Sequence, residues 1–273
     1  TNLGLPGISG PVAVIGAGAG GLATARLAQE AGFAVTLYAK ALPPHTTSNI
    51  AGGQIVTTGH FDEDAVTPEW QGQYRAAMDY SWRRFQIMVG DDYGIHWVPT
   101  WQPGLVRADG DEAWLLAYQP GQTQFSEDQH PFGSGTMRRF DTMYVETGRY
   151  LSRMIADFQR AGGRIVVRDF ASPADLAALP ETAIFNCTGL GSHRLFGDTR
   201  LTPIRGQLAV LLPQPEIDYA YAVREGYMFP RADGIVLGGT WERGQWDASP
   251  QASDIDGIVR SHARVAAKWA CPA

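Results

Sequence analysis

The stretch Val12–Gly21, VAVIGAGAGG, decides the fold. Its apolar run, Val12 to Ile15, suits a strand buried on both faces of a parallel sheet. The run enters directly on Gly16, Gly18 and Gly21, a G-x-G-x-x-G set. Gly16 serves the tight turn, Gly18 lets backbone approach a pyrophosphate, and Gly21 permits close packing of helix on strand. A helix is expected from about Ala19, reading LATARLAQEAG to a stop at Gly32, with a second strand, AVTLYA, after it. In a chain with 32 glycines the pattern alone carries little weight. Strand, glycine turn, helix and strand within about thirty residues is the frame in which it binds a dinucleotide, with Ala19 and Gly20 part of the same turn.

The 273 residues suffice for one large α/β domain or two intertwined smaller ones, and 44% hydrophobic residues leave ample core. A net charge of −6, with no block rich in Lys or Arg, argues against nucleic-acid binding. No apolar run approaches a membrane span. Cys187 and Cys271 form neither a disulfide framework nor a metal knuckle, and the compartment stays open between bacterial cytoplasm and export. The chain starts at Thr1 without a methionine, so a processed or excised N-terminus is expected.

After the second strand comes Lys40, where a dinucleotide fold commonly places an acid for the ribose. Lys40 reads as a solvated loop cation, a phosphate contact or a 2′-phosphate contact of the NADP kind. Thr46, Thr47 and Ser48 offer hydroxyls to a pyrophosphate, or form a polar turn. Ile50-Ala51-Gly52-Gly53-Gln54 is small enough for a flat ring to lie on its backbone.

Residues 61–139 change character and hold Trp70, Trp82, Trp97, Trp101 and Trp114. Trp70, Tyr74, Met78, Phe85 and Met88 predict an amphipathic helix over 68–89 whose aromatic stripe is core. Residues 95–126 read as short strands and loops. His60, His96 and His130 lack ligand spacing. Thr147 is placed as the N-cap of a helix bearing Tyr150, Leu151, Met154, Ile155 and Phe158. RIVVRDF and TAIFNCTG follow as strands, the second buried and ending at a ligand crevice. Cys187 there reads as a structural thiol. GQLAVLL, GYMFP and GIVLGGTW read as strands, then a helix capped by Ser253, bearing Ile255, Ile258, Val259 and Trp269 and stopped by Pro272. No Ser/His/Asp triad, P-loop or zinc motif assembles, which fits a protein whose cofactor carries the chemistry.

Together VAVIGAGAGGLATARLAQEAG, YAKALPPHTTSNIAGGQ, NCTGLGSHRLFGD with LTPIRGQLAV, and GYMFP with IVLGGTWERGQW resemble the D-amino-acid oxidase and D-aspartate oxidase family. The resemblance covers most of the chain and is weakest over 61–139. It implies an α/β fold: a doubly wound, Rossmann-like FAD-binding domain (1–60 and 140–205) interlocked with an α+β substrate domain (61–139 and 206–273) on a mostly antiparallel sheet. It also implies FAD, and oxidative deamination of a D-amino acid by hydride transfer, with oxygen reoxidising the flavin to give peroxide. Gly16, Gly18, Ala19, Gly20, Gly21, Lys40, Thr46, Thr47 and Ser48 are then expected at the dinucleotide. Gly53 and Gln54 are expected near the flavin, Phe170 (through backbone), Thr188 and Gly189 near the adenine half, and Tyr227 against the substrate carboxylate. Arg205 in PIRGQ tempts as a carboxylate clamp, but a structural role is favoured.

The chain departs from that pattern in two ways. Lys40 stands where the acidic ribose partner is usual. The G-[FL]-R-P and H-N-Y-G-H-G-G-like stretches are missing, and with them the arginine that grips the carboxylate, a bond of roughly 1.5–3 kcal/mol. An upstream or separate partner segment supplying that piece, and a homodimer, are the partner arrangements this allows. The other readings are an oxidase of another amine, such as glycine or D-aspartate, a degenerate flavin fold, and NADP binding.

Overall fold

Val12–Ile15 opens the computed structural model as strand β1 and leads into helix α1 (Ala19–Glu30) and strand β2 (Val35–Ala39). The chain continues through α2 (Pro68–Ile87), β3 (Ile95–Pro103), β4 (Thr123–Phe125), β5 (Met137–Val145), α3 (Thr147–Arg160), β6 (Arg164–Val167), α4 (Pro173–Ala177), β7 (Ala183–Asn186) and α5 (Gly191–Phe196). It ends with β8 (Ile204–Arg205), β9 (Leu208–Leu211), β10 (Ala220–Val223), β11 (Gly226–Arg231), β12 (Gly234–Gly238), β13 (Glu242–Arg243) and α6 (Ala252–Ala266). The structure describes residues 7–57, 60–110, 112–132 and 135–269; Cys271 and Pro272 lie outside them.

The first of two units is drawn from Thr1–Ala51, Thr147–Ile204 and Arg243–Trp246. It carries a parallel sheet in the order β6-β2-β1-β7, with Val12 opposite both Val35 and Ala183. β1 is buried at all four positions because strands pair with it on both edges. α1 stops where expected: Gly32, at φ +95°, follows the C-cap Ala31. α3 buries Tyr150, Leu151, Met154 and Phe158 on one face. Thr147 is the first residue of this helix, and its hydroxyl donates to the Asn49 carbonyl at 2.7 Å. One expectation is corrected here. β7 is not buried but alternates between half-buried and exposed, because it forms an edge of the sheet.

The second unit is drawn from Gly52–Glu146, Arg205–Glu242 and Asp247–Ala273. Its sheet has seven strands in the order β4-β5-β3-β10-β11-β12-β9 and is antiparallel except at β3–β10. On the back face, Ala209, Tyr221, Met228, Ile235 and Leu237 pack with Ile258 and Val265 of α6. On the front face, Val98, Tyr144, Ala220, Phe229 and Val236 cluster, with Leu208 and Tyr227 against them.

The middle of the chain departs most from its sequence reading. Residues 95–103 are one nine-residue strand, β3, paired along its whole length with β5. The strand contains Pro99 and Pro103, but the pairing with β10 starts only at Thr100, so Pro99 interrupts no rung there. The α2 stripe is core in part: Met78, Trp82 and Met88 are buried, while Trp70 stacks on Tyr74 at 5.1 Å with both half-buried. α6 is capped at Gln251, not Ser253, and its buried face is Ile258, His262 and Val265, with Val259 exposed.

Phe158 is fully buried, and an added Cβ on Gly163 would lie 2.4 Å from its ring. Phe158→Ala is expected to destabilise the protein by about 3–5 kcal/mol, because ring and neighbours fit without slack. Urea unfolding followed by circular dichroism measures this as a lower midpoint.

Candidate active site

The dinucleotide cradle is built by the first unit from close backbone packing. At Gly16, φ is +114° and a Cβ would lie 2.3 Å from the Cys187 carbonyl oxygen. A Cβ on Gly21 would lie 1.8 Å from the Gly16 carbonyl oxygen. Neither position accepts a side chain, so α1 starts tight against the carboxyl ends of β1 and β7. Gly18 is the N-cap of α1, without a side chain to satisfy the helix amides. Ser48 Oγ accepts from the Ala19 amide at 3.0 Å, so that donor is engaged within the protein. The amides of Gly20 and Gly21, in the first helical turn, have no intrahelical acceptor. Space beside Gly20 is open: a Cβ there would meet nothing within 4 Å. Thr47 and Ser48 lie in a 3₁₀ turn, Thr47–Ile50, and Thr46 donates to Asn49 Oδ1 at 2.7 Å. Hydroxyls and a helix start are thus brought together, as anion binding requires.

Beyond β7 a second polar group forms. Asn186 Oδ1 accepts from the Thr188 hydroxyl at 2.8 Å and amide at 3.2 Å, and Ser192 Oγ lies 2.7 Å from the Thr188 hydroxyl. Gly189 follows at φ +55°. Asn186 and Ser192 are the residues that the sequence reading passed over here, although Asn186 stands in the NCTG stretch. Phe170 is buried with Tyr38, and its carbonyl accepts from Arg194 at 3.2 Å. Lys40 is exposed at the end of β2, with no partner among the described residues. Cys187 contacts Thr24 through sulfur at 3.5 Å.

In the second unit, residues 52–55 are laid onto β5. The Gly53 carbonyl accepts from the Val145 amide, and the Ile55 amide donates to Met143, both at 2.9 Å. Thr142 Oγ1 fixes the Ile55 carbonyl at 2.8 Å. Gly53 has φ +91°, and a Cβ would lie 2.3 Å from the Val145 carbonyl oxygen. At Gly52 a Cβ would lie 2.9 Å from Phe229 and 3.4 Å from Tyr227, so bare backbone lies against those two rings. The rings stack at 4.4 Å, inclined by 18°.

Tyr227 is half-buried, and burial raises its phenol pKa. No described residue hydrogen-bonds its hydroxyl. The other phenol in the cluster, Tyr144, lies 3.0 Å from Thr100 Oγ1. Arg205 is committed elsewhere: its guanidinium meets Glu242 through two bonds, 3.2 and 2.5 Å, and donates to the Asp247 carbonyl at 3.1 Å. That supports its structural reading. Among the described residues no group of His, Cys, Asp and Glu could hold a metal. None of the described helices is long and apolar enough to cross a membrane.

These features fit FAD. The cradle excludes side chains at the glycines and offers amides and hydroxyls to phosphate. In the second unit Gln54 Nε2 is buried without a hydrogen-bond partner, a donor left over in the stretch expected beside a flavin.

The comparisons agree. The chain matches the family described as DAO, FAD dependent oxidoreductase, over residues 11–268. It is 28% identical over 262 residues to D-aspartate oxidase of Homo sapiens, covering 91% of this chain and 73% of that protein. It is 29% identical over 258 residues to D-amino-acid oxidase of Streptomyces coelicolor, covering 92% and 76%. Glycine oxidase from Geobacillus kaustophilus superposes with a TM-score of 0.70 over 95% of this chain and 80% of that one; at 16% identity this speaks for the fold alone. The chain belongs to the DAO family of FAD-dependent oxidoreductases, with FAD as its cofactor.

Proposed function

We propose that the protein deaminates D-amino acids oxidatively, giving a 2-oxo acid, ammonia and hydrogen peroxide. The observation that carries this reading is Tyr227: a neutral phenol with an unpartnered hydroxyl, stacked on Phe229 and lying against the Gly52 backbone. The names of the two relatives above support the choice of a D-amino acid.

Gly16, Gly18, Gly20, Gly21, Thr46, Thr47 and Ser48 would hold the dinucleotide, with Phe170, Thr188 and Gly189 toward the adenine half and Lys40 beyond β2. Gly53 and Gln54 would lie along the ring system. Bound FAD supplies the two-electron oxidation and the transfer of those electrons to oxygen. The protein's task is alignment. Tyr227 keeps its proton through the ordinary pH range, because burial raises its pKa, and would donate a hydrogen bond through it to the substrate carboxylate. Gly52 and Gly53 press bare backbone against Phe229, Tyr227 and Val145, which fixes the segment that would carry the ring system.

The test is a visible spectrum of the purified protein, recorded anaerobically before and after D-alanine, L-alanine, glycine or D-aspartate. Flavin bands that bleach with a D-amino acid and not with L-alanine support the reading. Bands that persist with every D-amino acid overturn it. Tyr227→Phe is expected to lose about 1.5–3 kcal/mol of carboxylate binding, roughly a 10- to 100-fold rise in KM, with little change in kcat. Steady-state kinetics on a D-amino acid measures that split. Ser48→Ala removes the acceptor for the Ala19 amide and is expected to weaken FAD binding by about 1 kcal/mol, roughly fivefold. Fluorescence titration of the apoprotein with FAD checks it.

A further inference from the structure

His262 is buried on the face of α6 that packs against the back of the seven-stranded sheet. Its Nδ1 lies 2.7 Å from the Tyr221 hydroxyl, and its Nε2 lies 2.9 Å from the Gly238 carbonyl oxygen. A carbonyl only accepts, so Nε2 carries the proton, and Nδ1 accepts from Tyr221. Both nitrogens are satisfied in the neutral imidazole and in one tautomer.

Both of the glycines that His262 touches bracket Tyr227. Gly238 is the register partner of Tyr227 and the last rung of the β11–β12 pairing. A Cβ on Gly238 would lie 1.9 Å from Tyr227 Cζ, so the phenol lies flat over bare backbone. Gly226 precedes Tyr227 at φ +145°. A Cβ there would lie 2.3 Å from the Gly238 carbonyl oxygen and 2.8 Å from His262 Nε2. The imidazole therefore seats in a notch made by the residue before Tyr227 and the residue opposite it. Tyr221 pairs with Met228 on the back face, whereas Tyr227 clusters with Phe229 and Tyr144 on the front.

We propose that Tyr221 and His262 form a positioning device that holds the Gly226–Tyr227 backbone and the Gly238 rung from behind the sheet, setting the Tyr227 hydroxyl for the substrate carboxylate. The proposal rests on the reading of Tyr227 given under Proposed function. His262 is a positioning residue: it acts through backbone and touches no reacting atom.

The device works only with a neutral imidazole, since the imidazolium cannot accept from Tyr221. Burial lowers the pKa of His262, against an opposing pull from the Gly238 carbonyl. Burial also raises the Tyr221 pKa, so Tyr221 keeps the proton it donates. The other titratable groups on the packed elements are few. β11 brings Tyr227 and Arg231, the latter paired with Asp233. Tyr219 precedes β10, and Glu225, in the β10–β11 turn, pairs with Lys268 at 3.1 Å. β9 and β12 bring none. With the native pKa below the unfolded value of about 6.5, the arrangement is fully stable above about pH 6.5 and is lost as pH falls through the native pKa.

The test uses the holoenzyme. His262→Leu removes both bonds, whereas His262→Gln keeps an amide donor for the Gly238 carbonyl. His262→Leu is expected to raise KM for D-alanine about tenfold or more, with kcat and flavin content within about threefold, and His262→Gln to restore KM to within about threefold. In the unaltered enzyme KM is expected to rise as pH falls through the native His262 pKa, below the ordinary imidazole value, and His262→Gln to lack that acid arm. A KM unchanged in His262→Leu overturns the proposal. So does a joint fall of kcat and flavin content that His262→Gln does not repair. A second readout needs no turnover: 3-fluorotyrosine placed at position 227, observed by fluorine NMR. Its resonance is expected to shift in His262→Leu and on acidification of the otherwise unaltered protein. A shift in a protein that oxidises no D-amino acid would sustain the positioning device and sink the oxidase reading. A resonance indifferent to His262 sinks the device whatever the activity.

Discussion

Backbone lying directly on backbone is the constraint on which the first unit depends. The Gly21 Cα faces the Gly16 carbonyl, and the Gly16 Cα faces the Cys187 carbonyl, at separations that leave no room for a methyl group. Two hydrogen bonds lock the same place. The Gly16 amide donates to Tyr38 at 2.7 Å, and the Cys187 amide donates to Ile15 at 2.9 Å. The carboxyl ends of β1, β2 and β7 are thereby fixed around the start of α1. In an open parallel sheet that is where ligands bind, and the helix start leaves amides for an anion. A larger residue at Gly16 or Gly21 would displace the helix, and the amides with it.

The second unit repeats the device with a different result. Gly53 is pressed on Val145, and Gly52 on Phe229 and Tyr227, so a connecting segment behaves as an extra strand along the edge of β5. Gly238 removes the side chain that would otherwise lift Tyr227 off the sheet. A glycine in a strand weakens it through entropy and lost packing. Here that loss is offset by a large aromatic ring that covers the bare backbone. The rung bearing Tyr227 is held from both faces, by the front cluster and by His262 behind.

What was legible in the sequence follows from range. The β1 turn, α1 and its Gly32 stop were readable because their signals lie within a few residues of one another and no tertiary contact overrides them. The face of α3 was readable for the same reason, through its 3.6-residue period. β7 was misread because its apolar letters look buried, whereas exposure depends on which strands pair beside it, a fact settled far along the chain. β3 was read as short strands and loops because its continuity comes from pairing along its whole length with β5, at residues 137–145, which no local signal announces. β10 was passed over because Ala220–Val223 is four residues long and is framed by no strong turn signal. Missing it hid the meaning of His262, whose partner Tyr221 sits on that strand 41 positions earlier.

The front face of the second sheet shows why few polar groups suffice. Val98, Ala220, Phe229, Val236 and Leu208 present hydrocarbon, and the Tyr144 hydroxyl is already answered by Thr100. The Tyr227 hydroxyl is then the polar atom of this cluster without a protein partner. In such surroundings a hydrogen bond to a charged acceptor is stronger than in water, and a polar group left unanswered costs about 1–3 kcal/mol. Orientation can thus be set by one well-placed donor against an apolar wall, because a reversed ligand would bury its own charge against hydrocarbon. The same economy makes placement critical. On the proposed reading, in which this donor sets orientation, a displacement of the rung beneath it would misdirect the ligand.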